Sequence, residues 1–271
     1  MTRTAVLIQA HNNFKYISLL AEKNGEINFY LHIDKKVKIS EDIYSLLSKP
    51  NIKVVENPVS VYWGGFSQIE ATLKLFDLAI KDKGNDFFHL MSGECFPLID
   101  FEEIEERWGN KKNSVFIEMY ERPETYWRLN IGVPYSNSKF IRTIMGRICN
   151  RGFKILGKYI KTTRLDVKYY CFGSQWFSIK RENVESILEK ERKGFFKQFR
   201  YTSCIDEHAF QIALKIDGVK GDGNNRYIRF KKGKSSPDYM DDEDISVAKK
   251  SGYWFIRKVN EKDAIRLLNG N

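Results

Sequence analysis

The chain has 271 residues, of which 42% are hydrophobic and 30% charged, enough apolar material for one large α/β domain or two small ones. No stretch approaches the roughly 20 apolar residues of a membrane-spanning helix. The N-terminus MTRTAVLIQAHNN lacks the long apolar segment and cleavage site of a secretory signal, so we expect a cytoplasmic protein. The net charge of +10 favours an anionic partner, either a nucleic acid, a phosphate-bearing substrate or an acidic membrane surface.

The first half of the chain alternates short apolar runs with amphipathic stretches. The apolar runs are interpreted as strands and cover residues 4–9, 27–33, 52–55 and 87–91. Asn12 or Asn13 is expected to cap a helix after the first run, and Ser67 opens a second helix. In these helices apolar residues recur at helical spacing, at Phe14, Ile17, Leu20, Ala21, and at Ile69, Leu73, Phe76, Ile80. This alternation predicts an α/β fold with a mostly parallel central sheet flanked by helices.

The second half of the chain is less regular. Strands are predicted for 114–118, 176–179 and 254–256, and helices for 182–190 and 206–215. Residues 221–244 are glycine-rich and charged, which indicates a loop. The cysteines are widely spaced without a metal-binding pattern, so we expect buried, reduced thiols at Cys95, Cys149, Cys171 and Cys204.

Polar residues follow three of the predicted parallel strands. They are Ala10-His11-Asn12, His32-Ile33-Asp34-Lys35-Lys36 and Ser92-Gly93-Glu94. Ligands of open α/β sheets bind beyond the carboxyl ends of the strands, so these groups predict a nucleotide pocket. There Asp34 would hydrogen-bond a ribose or base and Lys35 would meet a phosphate, although Asp34 taken alone is more typical of a turn cap.

An ordered series of short motifs spans most of the chain. It comprises Ala10-His11, His32-Ile33-Asp34-Lys35, Trp63-Gly64-Gly65-Phe66-Ser67, Ser92-Gly93-Glu94 with Pro97-Leu98, Gly173-Ser174-Gln175-Trp176, Asp206-Glu207 with Phe210, and Arg226-Tyr227-Ile228. This series resembles the core-2/I-branching and xylosyltransferase family of glycosyltransferases. Two positions depart from the family pattern, because Glu94 stands where the family usually carries Asp, and Asn13 or its neighbour where Pro is frequent.

The resemblance implies a GT-A type nucleotide-sugar-binding fold, inversion at the anomeric carbon and no metal. It implies one domain over residues 1–271, with a nucleotide-binding half in 1–118 and an acceptor and catalytic half in 119–271. Glu207 matches the family's catalytic base and would stand at the start of a helix, where the dipole favours a carboxylate. A carboxylate that only stabilises the helix is the alternative.

The resemblance also implies which residues contact the two substrates. The donor-binding residues would be Ala10, His11, Asp34, Lys35, Trp63, Arg226 and Lys258, with Arg226 and Lys258 on the diphosphate in place of a metal ion. Arg257, next to Lys258, is an alternative diphosphate ligand. The other alternative is that Arg226 and Lys258 are solvated surface residues that bind no ligand. The acceptor-binding residues would be Glu118, Trp127, Arg128 and Trp176, although core packing is the commoner role of a single tryptophan.

Two charged stretches have their own interpretations. Asp242-Glu243-Asp244 is the one Asp-x-Asp pattern that could hold a metal, but its hydrophilic setting indicates a solvated loop. Residues 139–164 carry eight basic residues, no acidic residue and interleaved apolar residues. Such a segment either lies on an anionic membrane surface, where a lipid-linked acceptor would be presented, or packs its apolar face on the core.

The resemblance implies an inverting, metal-independent transferase that moves a sugar from a UDP-sugar to a glycan hydroxyl, and we expect it to act in bacterial surface polysaccharide or lipopolysaccharide synthesis. N-acetylglucosamine is the family's commonest donor sugar and xylose the second. The alternatives are a catalytically silent sugar-binding relative and a nucleic-acid-binding protein, the latter suggested by charge but lacking a recognised nucleic-acid-binding motif.

Overall fold

The computed structural model describes residues 3–110, 115–231, 233 and 236–270. Within these ranges the chain forms eight strands and ten α-helices. The strands are β1 (Thr4–Ala10), β2 (Asn28–Ile33), β3 (Ile52–Val54), β4 (Phe87–Ser92), β5 (Cys95–Pro97), β6 (Ser178–Lys180), β7 (Arg226–Ile228) and β8 (Phe255–Arg257). The helices are α1 (Phe14–Lys23), α2 (Glu41–Leu47), α3 (Phe66–Ala79), α4 (Phe101–Gly109), α5 (Trp127–Asn130), α6 (Ile144–Tyr159), α7 (Arg181–Arg192), α8 (Ala209–Ile216), α9 (Asp242–Lys250) and α10 (Glu261–Leu268).

A five-stranded sheet forms the centre of the molecule, in the order β3-β2-β1-β4-β6. β1 to β4 are parallel to one another and β6 runs antiparallel to β4. The predicted α/β fold with a mostly parallel central sheet flanked by helices is therefore confirmed. In this register Gln9 lies beside His32 on one side and beside Ser92 on the other, so the polar strand ends meet at one edge of the sheet.

The central strand β1 is buried along its whole length because helices cover both faces of the sheet. Alternate side chains of a strand point to opposite faces. Leu7 accordingly belongs to the core on one face, with Phe76 of α3, and Ile8 to the core on the other, with Ile17 of α1. A strand buried on both faces reads as the uninterrupted apolar run seen in the sequence.

A second, three-stranded sheet has the order β5-β8-β7 and was not predicted. Its members come from distant parts of the chain: β8 pairs antiparallel with β5 and parallel with β7. The register sets Arg257 of β8 opposite Cys95 of β5, directly after the end of β4. This sheet therefore brings the C-terminal cations to the carboxyl edge of the central sheet.

Several sequence-based predictions of local structure need correction. Asn13 occupies the N-cap position of α1, but its side chain donates to the carbonyl of Gly93 at 2.9 Å instead of capping the helix. Of the strand predicted at 114–118, Ser114 lies outside the described residues, and Phe116 forms only an isolated bridge with Ser178. The helix predicted to begin at residue 206 begins at Ala209.

The predicted loop at 221–244 contains β7 and the beginning of α9. Asp242-Glu243-Asp244 is the first turn of α9 and not a solvated loop, since acidic residues suit a helix N-terminus. Asp244 is buried there and pairs with Arg229. Among the described residues, no group of three or more His, Cys, Asp and Glu side chains is arranged to hold a metal ion.

Residues 139–164 form a short 3-10 turn (Lys139–Arg142) followed by α6. The alternative in which the apolar residues of this segment pack on the core is wrong for most of them, because large apolar side chains of α6 are exposed. None of the described helices has the length and apolar content that crossing a membrane requires. The cysteines are free as expected, and Cys149 alone of the four is only partly buried.

Candidate active site

A cavity of about 1610 Å³ opens at the carboxyl edge of the central sheet. The ends of β1, β2 and β4 form its floor, and the second sheet and the segments around α5 and α8 form its walls. It is lined by ten of the twelve predicted site residues: Ala10, His11, Asp34, Trp63, Arg226, Lys258, Glu118, Arg128, Trp176 and Glu207. Lys35 and Trp127 do not belong to the wall.

Asp34 organises the turn that follows β2. Its Oδ1 accepts the backbone amides of Lys36 at 3.0 Å and Val61 at 3.3 Å, and its Oδ2 lies 3.0 Å from Nζ of Lys36. The turn-capping role given as the alternative is therefore observed, in a residue that also lines the cavity. Lys36 lines the cavity in place of Lys35, which is exposed outside it.

His32 fixes the neighbouring loop from beneath. Its Nε2 accepts the backbone amide of Val59 at 3.0 Å, and the imidazole is completely buried. Burial lowers the pKa of His32 to about 4, so the ring is neutral at neutral pH and its proton lies on Nδ1. The loop from Val59 to Trp63 is thus held to β2 at both His32 and Asp34.

A buried carboxylate gathers the cations on the opposite wall. Glu94 accepts from the Tyr239 hydroxyl at 2.8 Å and lies 3.0 Å from Nζ of Lys258 and 3.8 Å from the Arg257 guanidinium. Burial alone would raise the pKa of Glu94, but the Tyr239 hydrogen bond and the charges of Arg257 and Lys258 together lower it. The Arg257 guanidinium also lies over the ring of Trp176, 4.8 Å from its centroid. Glu94, where the sequence departs from the pattern of the family it resembles, thus holds two cations at the cavity.

Arg226 differs from Arg257 and Lys258 because its guanidinium donates to backbone carbonyls. The residue is 4% exposed and donates to the carbonyls of Asn224, Leu90 and Phe177 at 2.6, 3.1 and 2.7 Å. Burial lowers the pKa of Arg226 to about 10, which still leaves it charged at neutral pH. This geometry favours Lys258 and Arg257 over Arg226 as diphosphate ligands, and contact of Arg226 with the donor stays a prediction.

The predicted base lies in a 3-10 turn (Ile205–Glu207) that precedes α8, not in the helix itself. One carboxylate oxygen of Glu207 accepts from Nη1 of Arg128 at 2.8 Å, and both residues line the cavity. The neighbouring Asp206 has an inaccessible Oδ1 atom without a hydrogen-bond partner among the described residues. Burial and the charge of Glu207 raise the pKa of Asp206. Arg128, predicted as an acceptor ligand, is therefore the direct partner of Glu207.

A glycine motif joins the segments that carry the two cavity glutamates. Gly173 donates its amide to the carbonyl of Glu207 at 2.9 Å, and the next amide, of Ser174, donates to the carboxylate of Glu118 at 2.9 Å. A Cβ on Gly173 would lie 1.9 Å from the carbonyl oxygen of Glu118, so only glycine permits this approach. Burial raises the pKa of Glu118.

The three predicted tryptophans have different settings. Trp63 is 42% exposed at the cavity, whereas Trp176 is buried beneath Arg257. Trp127 packs under α6 instead, where its carbonyl lies close to Gly157. Trp63 is the one of the three that is both exposed and part of the cavity wall. The sequence reasoning missed the amide cluster of Gln9, Gln68 and Gln175, in which Gln175 donates to the other two at 3.1 and 3.0 Å.

Comparison with known proteins gives the family. The model of the core-2/I-branching enzyme family matches residues 11–247, which include nearly the whole wall of the cavity. The chain belongs to this family. It is a glycosyltransferase, and family membership supports a nucleotide-sugar donor and a glycan acceptor.

No curated protein matches the chain. Two similar solved structures are distant. A 4-diphosphocytidyl-2C-methyl-D-erythritolsynthase from Anaerococcus prevotii has 15% identity and a TM-score of 0.37, over 92% of this chain and 97% of that one. A mannose-1-phosphate geranyltransferase from Thermus thermophilus has 12% identity and a TM-score of 0.26, over 71% and 54% of the two chains. Neither is similar enough to bear on substrate or mechanism.

Proposed function

We propose that this glycosyltransferase transfers a sugar from a UDP-sugar, foremost UDP-N-acetylglucosamine, to a glycan hydroxyl with inversion and without a metal ion. The pathway is synthesis of a bacterial surface polysaccharide or lipopolysaccharide, at the cytoplasmic side of the membrane. One observation carries the proposal: a carboxylate held by an arginine (Glu207 and Arg128) shares one cavity with two cations held by a buried carboxylate.

In the proposed reaction, Glu207 takes the proton from the acceptor hydroxyl as that oxygen attacks the anomeric carbon of the donor. The bond from this carbon to the diphosphate breaks, and the electron pair leaves with UDP. Displacement from the side opposite the leaving group inverts the configuration. Arg128 orients the carboxylate of Glu207 through a hydrogen bond, so that its oxygens face the cavity in a fixed geometry.

Lys258 and Arg257 are proposed to neutralise the negative charge that develops on the departing diphosphate. Both are positioned before the substrate arrives, because Glu94 and the ring of Trp176 hold them, so little reorganisation is needed. Charge-assisted hydrogen bonds from such groups can replace the divalent ion that many sugar-nucleotide enzymes use. Asp34 and Lys36 line the end of the cavity where we place the ribose and base.

Glu207→Gln is expected to lower the rate of transfer by about 10²- to 10⁴-fold, because the amide cannot accept the proton. A thermal-shift screen across nucleotide sugars first identifies the donor, since a ligand at a hundred times its Kd adds about 2.7 kcal/mol to the free energy of unfolding. UDP release from that donor is then measured in EDTA, and donor binding by calorimetry.

The matched control is Glu185→Gln, which removes an exposed carboxylate of α7 far from the cavity and should keep the wild-type rate. Unchanged turnover in Glu207→Gln would remove the proposed base. Loss of wild-type activity in EDTA that returns with Mg²⁺ would contradict the metal-independent mechanism. A wild-type protein that binds nucleotide sugars but never releases UDP would instead be the catalytically silent relative.

A further inference from the structure

Helix α6 divides its surface into three sectors. Gly146 and Gly157 belong to the sector that faces the protein. A second sector is basic and exposed, and contains Arg147, Arg151, Lys154 and Lys158. The third is apolar and exposed, and contains Ile144, Met145, Ile148, Ile155, Leu156 and Tyr159; we call it the apolar face of α6. A helix that belonged to the core would turn this face inward.

The two glycines fix the rotation of the helix. A Cβ on Gly146 would lie 2.0 Å from the carbonyl oxygen of Phe140, and one on Gly157 would lie 2.7 Å from that of Trp127. Backbone atoms therefore fill the space on this side, and no larger side chain can occupy it. The apolar face is held away from the protein by close backbone contact and cannot rotate inward.

The apolar face is left open by the described part of the chain. Ile144 is 74% exposed, Ile155 60% and Tyr159 84%. Isolated exposed apolar residues are normal, but six on one side of one helix mark an interaction surface. The surrounding charges restrict what can cover it, because residues from Arg128 to Leu165 include no acidic side chain.

We propose that α6 docks on an anionic lipid bilayer, with the apolar face in the headgroup region and the basic sector on the lipid phosphates. A helix with an apolar face beside a Lys/Arg sector is the form in which proteins lie in a membrane interface. A second copy of the chain fits less well. A two-fold contact through α6 would bring the two basic sectors together without any acidic partner from this segment.

This docking would deliver the acceptor to the cavity. The 3-10 turn that leads into α6 contributes Lys139 and Arg142 to the cavity wall. On its protein side α6 packs on α5, which carries Arg128, the partner of Glu207. A glycan attached to a lipid in the bilayer would therefore reach the cavity at the end that holds the base; this clause rests on the proposed function, whereas the docking itself does not.

Vesicle co-sedimentation tests the docking without any substrate. We expect the wild-type protein to bind vesicles of equimolar phosphatidylcholine and phosphatidylglycerol at low salt, and to leave them as salt screens the charges. Binding to phosphatidylcholine alone should be far weaker. These two measurements need no variant, so they stand even where a substitution prevents folding.

Two double variants separate the contributions. Arg151→Ala with Lys154→Ala should weaken binding by about twenty-five-fold, since each cation near an anionic surface contributes about fivefold. Ile148→Ser with Ile155→Ser should weaken it at least about tenfold through lost apolar burial. The matched controls remove similar groups elsewhere: Lys249→Ala with Lys250→Ala, and Tyr44→Ser with Val247→Ser, all exposed helical positions outside α6.

Wild-type protein that ignores anionic vesicles at low salt would overturn the proposal, as would α6 variants that bind like wild type. Equal losses of vesicle binding in the control variants would show that the binding does not depend on α6, and would also overturn the proposal. If the protein is a dimer that the isoleucine variant converts to a monomer, without vesicle binding, the face is an interface between copies. UDP release is measured in parallel. A protein that binds vesicles but releases no UDP contradicts the proposed function and supports the docking. A protein that releases UDP but does not bind vesicles contradicts only the docking.

Discussion

The cations at the cavity differ in which protein groups they already contact, and this difference favours Lys258 over Arg226 as the proposed diphosphate ligand. Arg226 donates to three backbone carbonyls, so a phosphate would have to compete with bonds that the fold supplies. Lys258 is instead paired with Glu94 and faces the cavity. A donor phosphate can share such an ammonium group without breaking the fold.

Lys258→Ala is accordingly expected to weaken UDP binding by about 10- to 100-fold, the usual contribution of a hydrogen bond to a charged group. Uridine, which lacks the diphosphate, should bind as before. Calorimetric titration of both ligands measures the difference. Lys35→Ala is the control, because this lysine is exposed outside the cavity. An equal loss of UDP affinity in Lys35→Ala would support the sequence-based prediction that Lys35 contacts a phosphate.

For individual residues, the sequence predicted where the site lies but not which side chains line it. Polar residues after parallel strands share one edge of a sheet, so Ala10, His11 and Asp34 could be placed together from the strand pattern. Whether Lys35 or Lys36 turns toward the cavity depends on the turn that Asp34 caps, and no periodicity encodes that. The burial of Arg226 depends on contacts with residues more than a hundred positions earlier in the chain, such as Leu90.

Among the elements, α6 offers a contrast between two of its own glycines. Gly157 meets the backbone of Trp127, whereas a Cβ on Gly152 would meet nothing within 4 Å. Alanine is the better helix former by about 1 kcal/mol, so the two substitutions differ only in the space around the new methyl group.

Gly157→Ala is expected to lower the free energy of unfolding by about 1 to 3 kcal/mol, because α6 must move off α5 to admit the methyl group. Gly152→Ala should raise it by up to about 1 kcal/mol. Urea denaturation of both variants measures the difference. Two variants of equal stability would show that α6 is not held as closely as the contacts indicate.

Buried strands were predictable from the sequence, whereas the pairing of short strands by tertiary contact was not. β1, β2 and β4 read directly as apolar runs, since both faces of each strand are buried. β8 was predicted as a short strand at 254–256, but β5 and β7 were not, and the pairing of these three-residue strands joins distant parts of the chain. The α6 segment was recognised as amphipathic, but the sequence left open whether its apolar face points in or out. Gly146 and Gly157 determine that the apolar face points outward, because neighbouring backbone atoms leave no space for a larger side chain on their side of the helix.

For the molecule as a whole, three completely buried histidines make stability depend on acid. Burial lowers the pKa of His32 to about 4, that of His208 to about 3, and that of His89 well below its usual value. Unfolding exposes the rings, which then titrate near pH 6.5. The unfolded state therefore binds more protons than the folded state below that pH, and the stability present above pH 6.5 is lost as the pH falls toward the folded pKa values.

We expect the free energy of unfolding to fall as the pH drops below 6.5, with each histidine adding at most about 1.4 kcal/mol per pH unit. Urea titrations over a pH series measure the slope. A stability that stays level between pH 6.5 and 4 would contradict the neutral, buried state of the three rings.

The open face of α6 has a practical consequence for the protein in solution. The basic sector of α6 and the net charge of +10 keep copies of the protein apart by mutual repulsion, while the apolar face of α6 draws them together. Salt weakens the repulsion and leaves the attraction in place. Added electrolyte will therefore work against solubility here, and purification in dilute buffer or with a mild detergent suits this chain better than the concentrated salt often chosen for basic proteins.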